Sequence, residues 1–201
     1  MLASCGQMTP LHSARTEGAG NLTLTPTIDG TGYINQIRNT SEAVIVPGLR
    51  AEIAYGLTDH FDVIASLNAS GSIKSSLKYQ IYGDNFSSFA FAAMPGYEYQ
   101  SNLINGGTQD IAQRLHFPFI FSIRATETFD YYVGPNLVLQ FTDDPQNTAF
   151  PGAFGGLEFG QRIKVNIGAG FFLPYTFNIG TDGYLYQFGI SARVPLIRRT
   201  N

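Results

Sequence analysis

The residues best suited to metal, acid–base or nucleophilic chemistry are few and widely spaced: Cys5, His12, His60 and His116. Metal sites need His and Cys at short, regular intervals or on facing elements. Neither a His-Glu-x-x-His helix motif nor a paired-cysteine pattern occurs, and there is no Gly-x-Ser-x-Gly elbow. No metal or cofactor is expected. His116 is the one catalytic candidate, as a general base paired with Ser or Asp. The bland alternative, a histidine hydrogen-bonded within a polar interior, is the favoured one. More numerous are charges of both signs: Arg50, Glu52, Asp62, Lys74, Lys78, Glu98, Arg124, Glu158, Arg162, Lys164 and Arg193. Each falls on the polar side of a two-residue alternation, so they are placed to pair with one another across an enclosed space.

The elements that carry these residues are strands. Leu115, Phe117, Phe119, Phe121 and Ile123 alternate with His116, Pro118, Ile120 and Ser122. Successive side chains on a pleated strand point to opposite faces, so this is a two-faced strand. The same period runs through Leu22–Ile28, Leu49–Leu57, Phe61–Ser70, Ile73–Ile81, Phe89–Gln100, Tyr131–Phe141, Lys164–Leu173 and Tyr184–Val194, and less cleanly through Ala153–Gln161, where Glu158 and Arg162 share a face. No window of helical spacing competes with it. Ten strands are expected, with eight or twelve as the neighbouring counts. Tight connections such as Thr58-Asp59-His60 alternate with longer ones at 35–43, 101–112, 142–152 and 176–183. Residues 1–20 have no period and read as a flexible lead; residues 21–201 read as one domain.

Composition narrows the solvent. Of 201 residues only 13% are charged, about half the share of roughly 25% in soluble globular proteins. The net charge of -3 gives no electrostatic case for nucleic acid. No run of apolar residues reaches the length of a membrane helix. Ten amphipathic strands fit either a soluble sandwich or a membrane barrel. The polar faces are built of Gly, Ala, Ser and Asn, which suits a narrow lumen better than a solvated surface. Tyr55 and Tyr131 lie near short turns, and Tyr97, Tyr99 and Tyr184 near long loops, as in interfacial aromatic girdles. Leu115, Phe117, Phe119, Phe121 and Ile123 are then lipid-facing. The fold expected is all-β, a closed antiparallel up-and-down transmembrane barrel. Six prolines in or near strands (Pro26, Pro47, Pro95, Pro118, Pro135 and Pro174) cannot donate to a ladder. Each should mark a bulge, a strand end or a gap, Pro118 above all.

Two resemblances add to this reading. The stretch Ala-Glu-Ile-Ala-Tyr-Gly-Leu-Thr-Asp-His-Phe-Asp-Val-Ile-Ala-Ser-Leu at 51–67 resembles the strand, short turn and strand of small bacterial outer-membrane β-barrel proteins. It implies periplasmic short turns, exposed long loops and outer-membrane lipid as surroundings, with other envelope proteins as the class of protein partner. It implies no particular activity. Leu2-Ala3-Ser4-Cys5 resembles the lipobox of bacterial lipoproteins, which implies a diacylglyceryl group on Cys5 and an anchor on the periplasmic side. Four residues cannot hold the apolar region of about 7–15 residues that a signal peptide needs, so this reading places the true start upstream. Three functions stay open: a non-catalytic barrel with a structural or interaction role, a small channel or transporter for polar solutes, and a membrane-embedded hydrolase using His116. The first is preferred, with the lumen charges acting as a plug. The oligomeric state is not legible.

Overall fold

The computed structural model describes residues 8–35, 44–100, 112–142, 148–176 and 183–198. Its strand segments are β1 (Leu22–Asn35), β2 (Val44–Thr58), β3 (Phe61–Asn68), β4 (Ser72–Tyr82), β5 (Phe89–Ala93), β6 (Gly96–Gln100), β7 (Ala112–Thr126), β8 (Phe129–Thr142), β9 (Thr148–Phe159), β10 (Lys164–Phe172), β11 (Tyr175–Thr176) and β12 (Gly183–Ile197). Every pairing is antiparallel, and with β5/β6 and β10/β11 each taken as one interrupted strand it joins neighbours in sequence, apart from the seam where β12 returns to β1. β5 and β6 both lie between β4 and β7, as two halves of one interrupted strand. β10 and β11 likewise share β9. The ring therefore has ten strands and no free edge, which settles the expected count.

The alternation in sequence becomes an alternation in burial. Along β7, Phe117, Phe119 and Ile123 are exposed while Arg114, His116, Ile120 and Ser122 are buried. Leu115 and Phe121 share the outward face and are half-buried by neighbours. Phe91 stacks on Phe121 at 4.6 Å between ring centroids, extending an aromatic belt across β5 and β7. An apolar belt of this kind is stable only against hydrocarbon, since water would penalise each side chain by roughly 1.5–3 kcal/mol. Tyr55, Tyr82 and Tyr131 stand exposed toward the short turns, Tyr97 and Tyr99 toward the long loops. β7 has 15 residues, more than the roughly 9–11 that cross a bilayer core, so the wall projects beyond the hydrocarbon.

The prolines sit where the ladder breaks. Pro118 faces the Met94-Pro95 interruption between β5 and β6, with Met94 N–H donating to Pro118 O at 3.0 Å. On its other side, pairing with β8 lapses between Pro118↔Asn136 and Phe121↔Val133, where Pro135 stands. Pro95, Pro118 and Pro135 thus share one gap in the wall. Pro174 divides β10 from β11. Pro26 stands where β1–β12 pairing lapses between Leu24↔Val194 and Thr27↔Ser191, and Pro47, opposite Gly30, lies on a stretch of β2 paired with β1 alone, ahead of the first β3 pair at Arg50.

One expectation is corrected. The aperiodic segment expected to be a flexible lead is buried at every residue from Met8 to Thr16 and lies inside the ring. At its end Gly18 and Gly20 take φ of 81° and 77° to turn the chain into β1. Gly56 carries no Cβ there, which lets the Gly18 backbone pass against β2, and Gly20 N–H donates to Gly56 O at 2.7 Å. The sequence concealed this placement because a strap surrounded on all sides has no polar face to set against an apolar one.

Candidate functional site

The site is the filled lumen. From its inner end, Met8 N–H and Thr9 N–H both donate to Gln187 Oε1 on β12, at 2.8 and 2.9 Å. Asn136 of β8 returns a bond to Met8 O. Leu11 projects toward Gly168 and Gly189, which face each other across β10 and β12; a Cβ at either would come within 3 Å of it. His12 pairs with Glu52 of β2. Ser13 Oγ donates to Glu158 of β9 at 3.2 Å, and Ala14 N–H to Ser122 Oγ of β7 at 2.7 Å.

Arg15 is the strongest fixing point. Its guanidinium donates to Asp130 Oδ2 at 3.1 Å, to Asp84 O at 2.6 Å and to Ser87 O at 2.7 Å. Thr16 bonds Gln80 and the Asp59 carbonyl; Glu17 N–H reaches both Asp62 oxygens at 3.1 Å, and Glu17 Oε1 receives Arg193. Partners thus come from β2, β3, β4, β7, β8, β9 and β12, around the whole ring. Apolar contacts complete the fit. Ala14 belongs to a cluster with Ile64, Met94, Ile120, Tyr132 and Phe154, and Met8 to one with Val138, Phe150, Phe172 and Leu185. A lumen packed by a strap can carry apolar side chains inward, which is why Ile64 and Ile120 sit on the face expected to be polar, clustered with Ala14.

The charges singled out in the sequence gather as follows. Glu158 joins Lys164 at 2.7 Å and Arg193 at 3.0 Å. Asp62 lies 3.6 Å from Lys78, and Arg124 shares Asp130 with Arg15. Arg50 donates to Thr27. Glu98 of β6 contacts Arg114 at 3.5 Å and His116 Nε2 at 2.9 Å, all three essentially without exposure. Lys74 is opposite Glu98 in the β4–β6 register and half-buried. Arg162 departs from expectation: β9 ends at Phe159, so Arg162 stands exposed in the following turn rather than on the lumenal face. His116 takes its place in an ion-paired wall cluster, with no serine partner among the described residues. From the sequence His12 reads only as part of the lead, with no partner, and Arg15, Arg114, Asp130, Asn136 and Gln187 are not singled out as site residues. Arg114, Asn136 and Gln187 carried a signal, since each lies on the polar parity of its strand. Cys5 lies outside the described residues.

Outside the membrane span, Asp84 in the β4–β5 turn accepts Phe86 N–H and Ser87 N–H at 2.7 Å each. These bonds, with the Ser87 hydroxyl, hold its carboxyl below the usual range. The turn so fixed is the one whose Asp84 and Ser87 carbonyls receive Arg15.

Comparison with solved structures agrees on architecture. An outer-membrane channel from Pseudomonas putida F1 superposes with a TM-score of 0.59, covering 94% of this chain and 100% of that one at 8% identity. The chain folds as an outer-membrane β-barrel. Neisserial surface protein A aligns with a TM-score of 0.46 at 11% identity, over 86% of this chain and 96% of that one. The attachment invasion locus protein of Yersinia pestis, solved with a heparin analogue, gives 0.38 at 9% identity, over 89% and 99%. No protein-family profile matches the sequence, and no curated protein matches it.

Proposed function

We propose that this protein is a non-catalytic barrel of the bacterial outer membrane, held closed by its own N-terminal segment and working through a structural or interaction role. The observation that carries the reading is the burial of Met8 to Thr16 inside the ring, where bonds from Met8 through Glu17 reach seven of the strands around them. A segment so held leaves the long-loop ends as the parts of the molecule that meet partners. Planar-bilayer recording tests closure: the intact protein is expected to give no reproducible conductance steps, and steady steps would overturn it.

A second reading has its own support. Much of the segment's hold is through hydrogen bonds and ion pairs, which water can replace on withdrawal, and the superposable Pseudomonas protein is a channel. In that reading the barrel is a channel for polar solutes whose gate is residues 8–19. His116 serves both readings as a partner of Glu98; hydrolysis of a lipid or peptide that His116→Ala abolishes would overturn them. The lipobox-like Leu2-Ala3-Ser4-Cys5 makes Cys5 the proposed anchor residue; a periplasmic anchor would need the plug withdrawn, because Met8 sits by Gln187 toward the long-loop end of β12. Mass spectrometry of protein taken from membranes decides it, by the presence or absence of a diacylglyceryl adduct on Cys5.

A further inference from the structure

The short-turn mouth of the barrel holds a cavity of about 270 Å³ that the plug does not fill. Its lining includes Arg15, Arg124, Arg162, Lys164, Arg193 and Arg198, against the single carboxylate of Glu17. Asp130 and Glu158 stand behind the wall and bind Arg15, Arg124, Lys164 and Arg193. Three positive charges remain in excess. Arg162 and Arg198 have no carboxylate partner among the described residues, and they are neighbours: Arg198 Nη2 donates to Arg162 O at 3.1 Å, tying the end of β12 to the β9–β10 turn. A second, independent observation points into the same space. Thr23 lines the cavity and is 4% exposed, and its hydroxyl has no hydrogen-bond partner among the described residues. A buried hydroxyl without a partner costs roughly 1–3 kcal/mol, a cost that a bound acceptor oxygen removes.

We propose that this cavity binds a phosphate-bearing anion, with Arg162 and Arg198 as its charged clamp and Thr23 Oγ1 as a donor. Guanidinium forks match phosphate oxygens geometrically and bind them more strongly than neutral donors do. In bacterial barrels the short turns are periplasmic, so two sources present this chemistry: an inner-leaflet phospholipid headgroup and a free phosphorylated solute. The cavity volume, roughly nine times the share of one liquid water, accommodates a phosphate with an organic substituent. Because Arg15, Thr16 and Glu17 of the plug line the cavity, the proposal rests on the closed-barrel reading, whereas a failure of anion binding leaves that reading standing.

The test uses the full chain in detergent, titrated with inorganic phosphate and followed by calorimetry. Saturable binding is expected, weakened about tenfold by Arg162→Ala with Arg198→Ala, and by a smaller factor in Thr23→Val. Both arginines are exposed, so heat-modifiable gel migration should be unchanged and certifies the fold. A parallel arm reconstitutes wild type and the double variant in nanodiscs of phosphatidylethanolamine and phosphatidylglycerol and measures the phospholipid each retains on extraction. Phosphate saturation without lipid retention assigns a free anion; retention lost in the double variant assigns the headgroup. Neither saturation nor any difference in retained lipid overturns the proposal.

Discussion

Two buried ionic knots sit in this lumen and do different work. Glu98 with His116 and Arg114 joins β6 to β7, strands already locked by their ladder; Glu98 and Arg114 are direct cross-strand partners. Arg15 with Asp130 and Arg124 joins the N-terminal segment to β8 and to the β4–β5 turn. The ladder would hold the first pair of strands together without any charge. Nothing but side chains and apolar contact holds the second. The same chemistry therefore adds stability in one place and position in the other.

Breaking each knot should separate those roles. The largest loss of stability is expected from Glu98→Ala, which leaves His116 and Arg114 buried without their carboxylate, at a cost of about 3–5 kcal/mol. Thermal unfolding read by heat-modifiable migration should show it, while bilayer recordings stay silent. Arg15→Ala removes three bonds at once, and Asp130 keeps Arg124 as a partner, so the cost is nearer 2–3 kcal/mol. Its signature is conductance: brief openings are expected where wild type shows none. Openings in Glu98→Ala as well would erase the distinction drawn here.

A gentler probe acts on fit rather than charge. Gly168→Val pushes branched carbon against Leu11 and the Tyr132 hydroxyl and should cost about 1–3 kcal/mol by overpacking. Leu11→Ala, harmful alone, should recover part of that loss in the double variant. The smallest effect is expected at Asp84. Its depressed carboxyl means that its contribution is fully present above the ordinary carboxylate pKa and fades as pH falls through the lowered value. Asp84→Asn should loosen the turn that receives Arg15, and carboxyl NMR should find Asp84 titrating below other exposed aspartates.

The wall was legible and the strap was not. Parity put Phe117, Phe119 and Ile123 on one face and His116 and Ser122 on the other, because each strand has two surroundings and the sequence must alternate to suit them; the small, sparsely charged polar faces and the tyrosines near strand ends turned the first face outward. It also flagged Pro118 as the site of a ladder gap. Residues 8–19 have no such constraint. Their partners lie as far away as Gln187 and Arg193, and no local pattern encodes a contact across more than 170 positions. Even so, a trace existed in the wall. Gly168, Gly170 and Gly189 thin the lumenal faces of β10 and β12 where Leu11 and Thr9 lie, and the abundance of lumenal glycine was visible without its cause.

The seam gives the filled lumen a history. β1 follows the strap after a single turn, and β1 is also the strand that meets β12 to complete the ring. Of the strands in this ring, the one made last thus closes against the one made first, while the segment just before β1 ends up enclosed. Either the ring shuts around a passenger already aboard or the passenger climbs in afterward through a mouth. In both orders, the residues that end up innermost are synthesised before every strand of the ring, and their bonds to Gln187 and Arg193 cannot form until β12 exists.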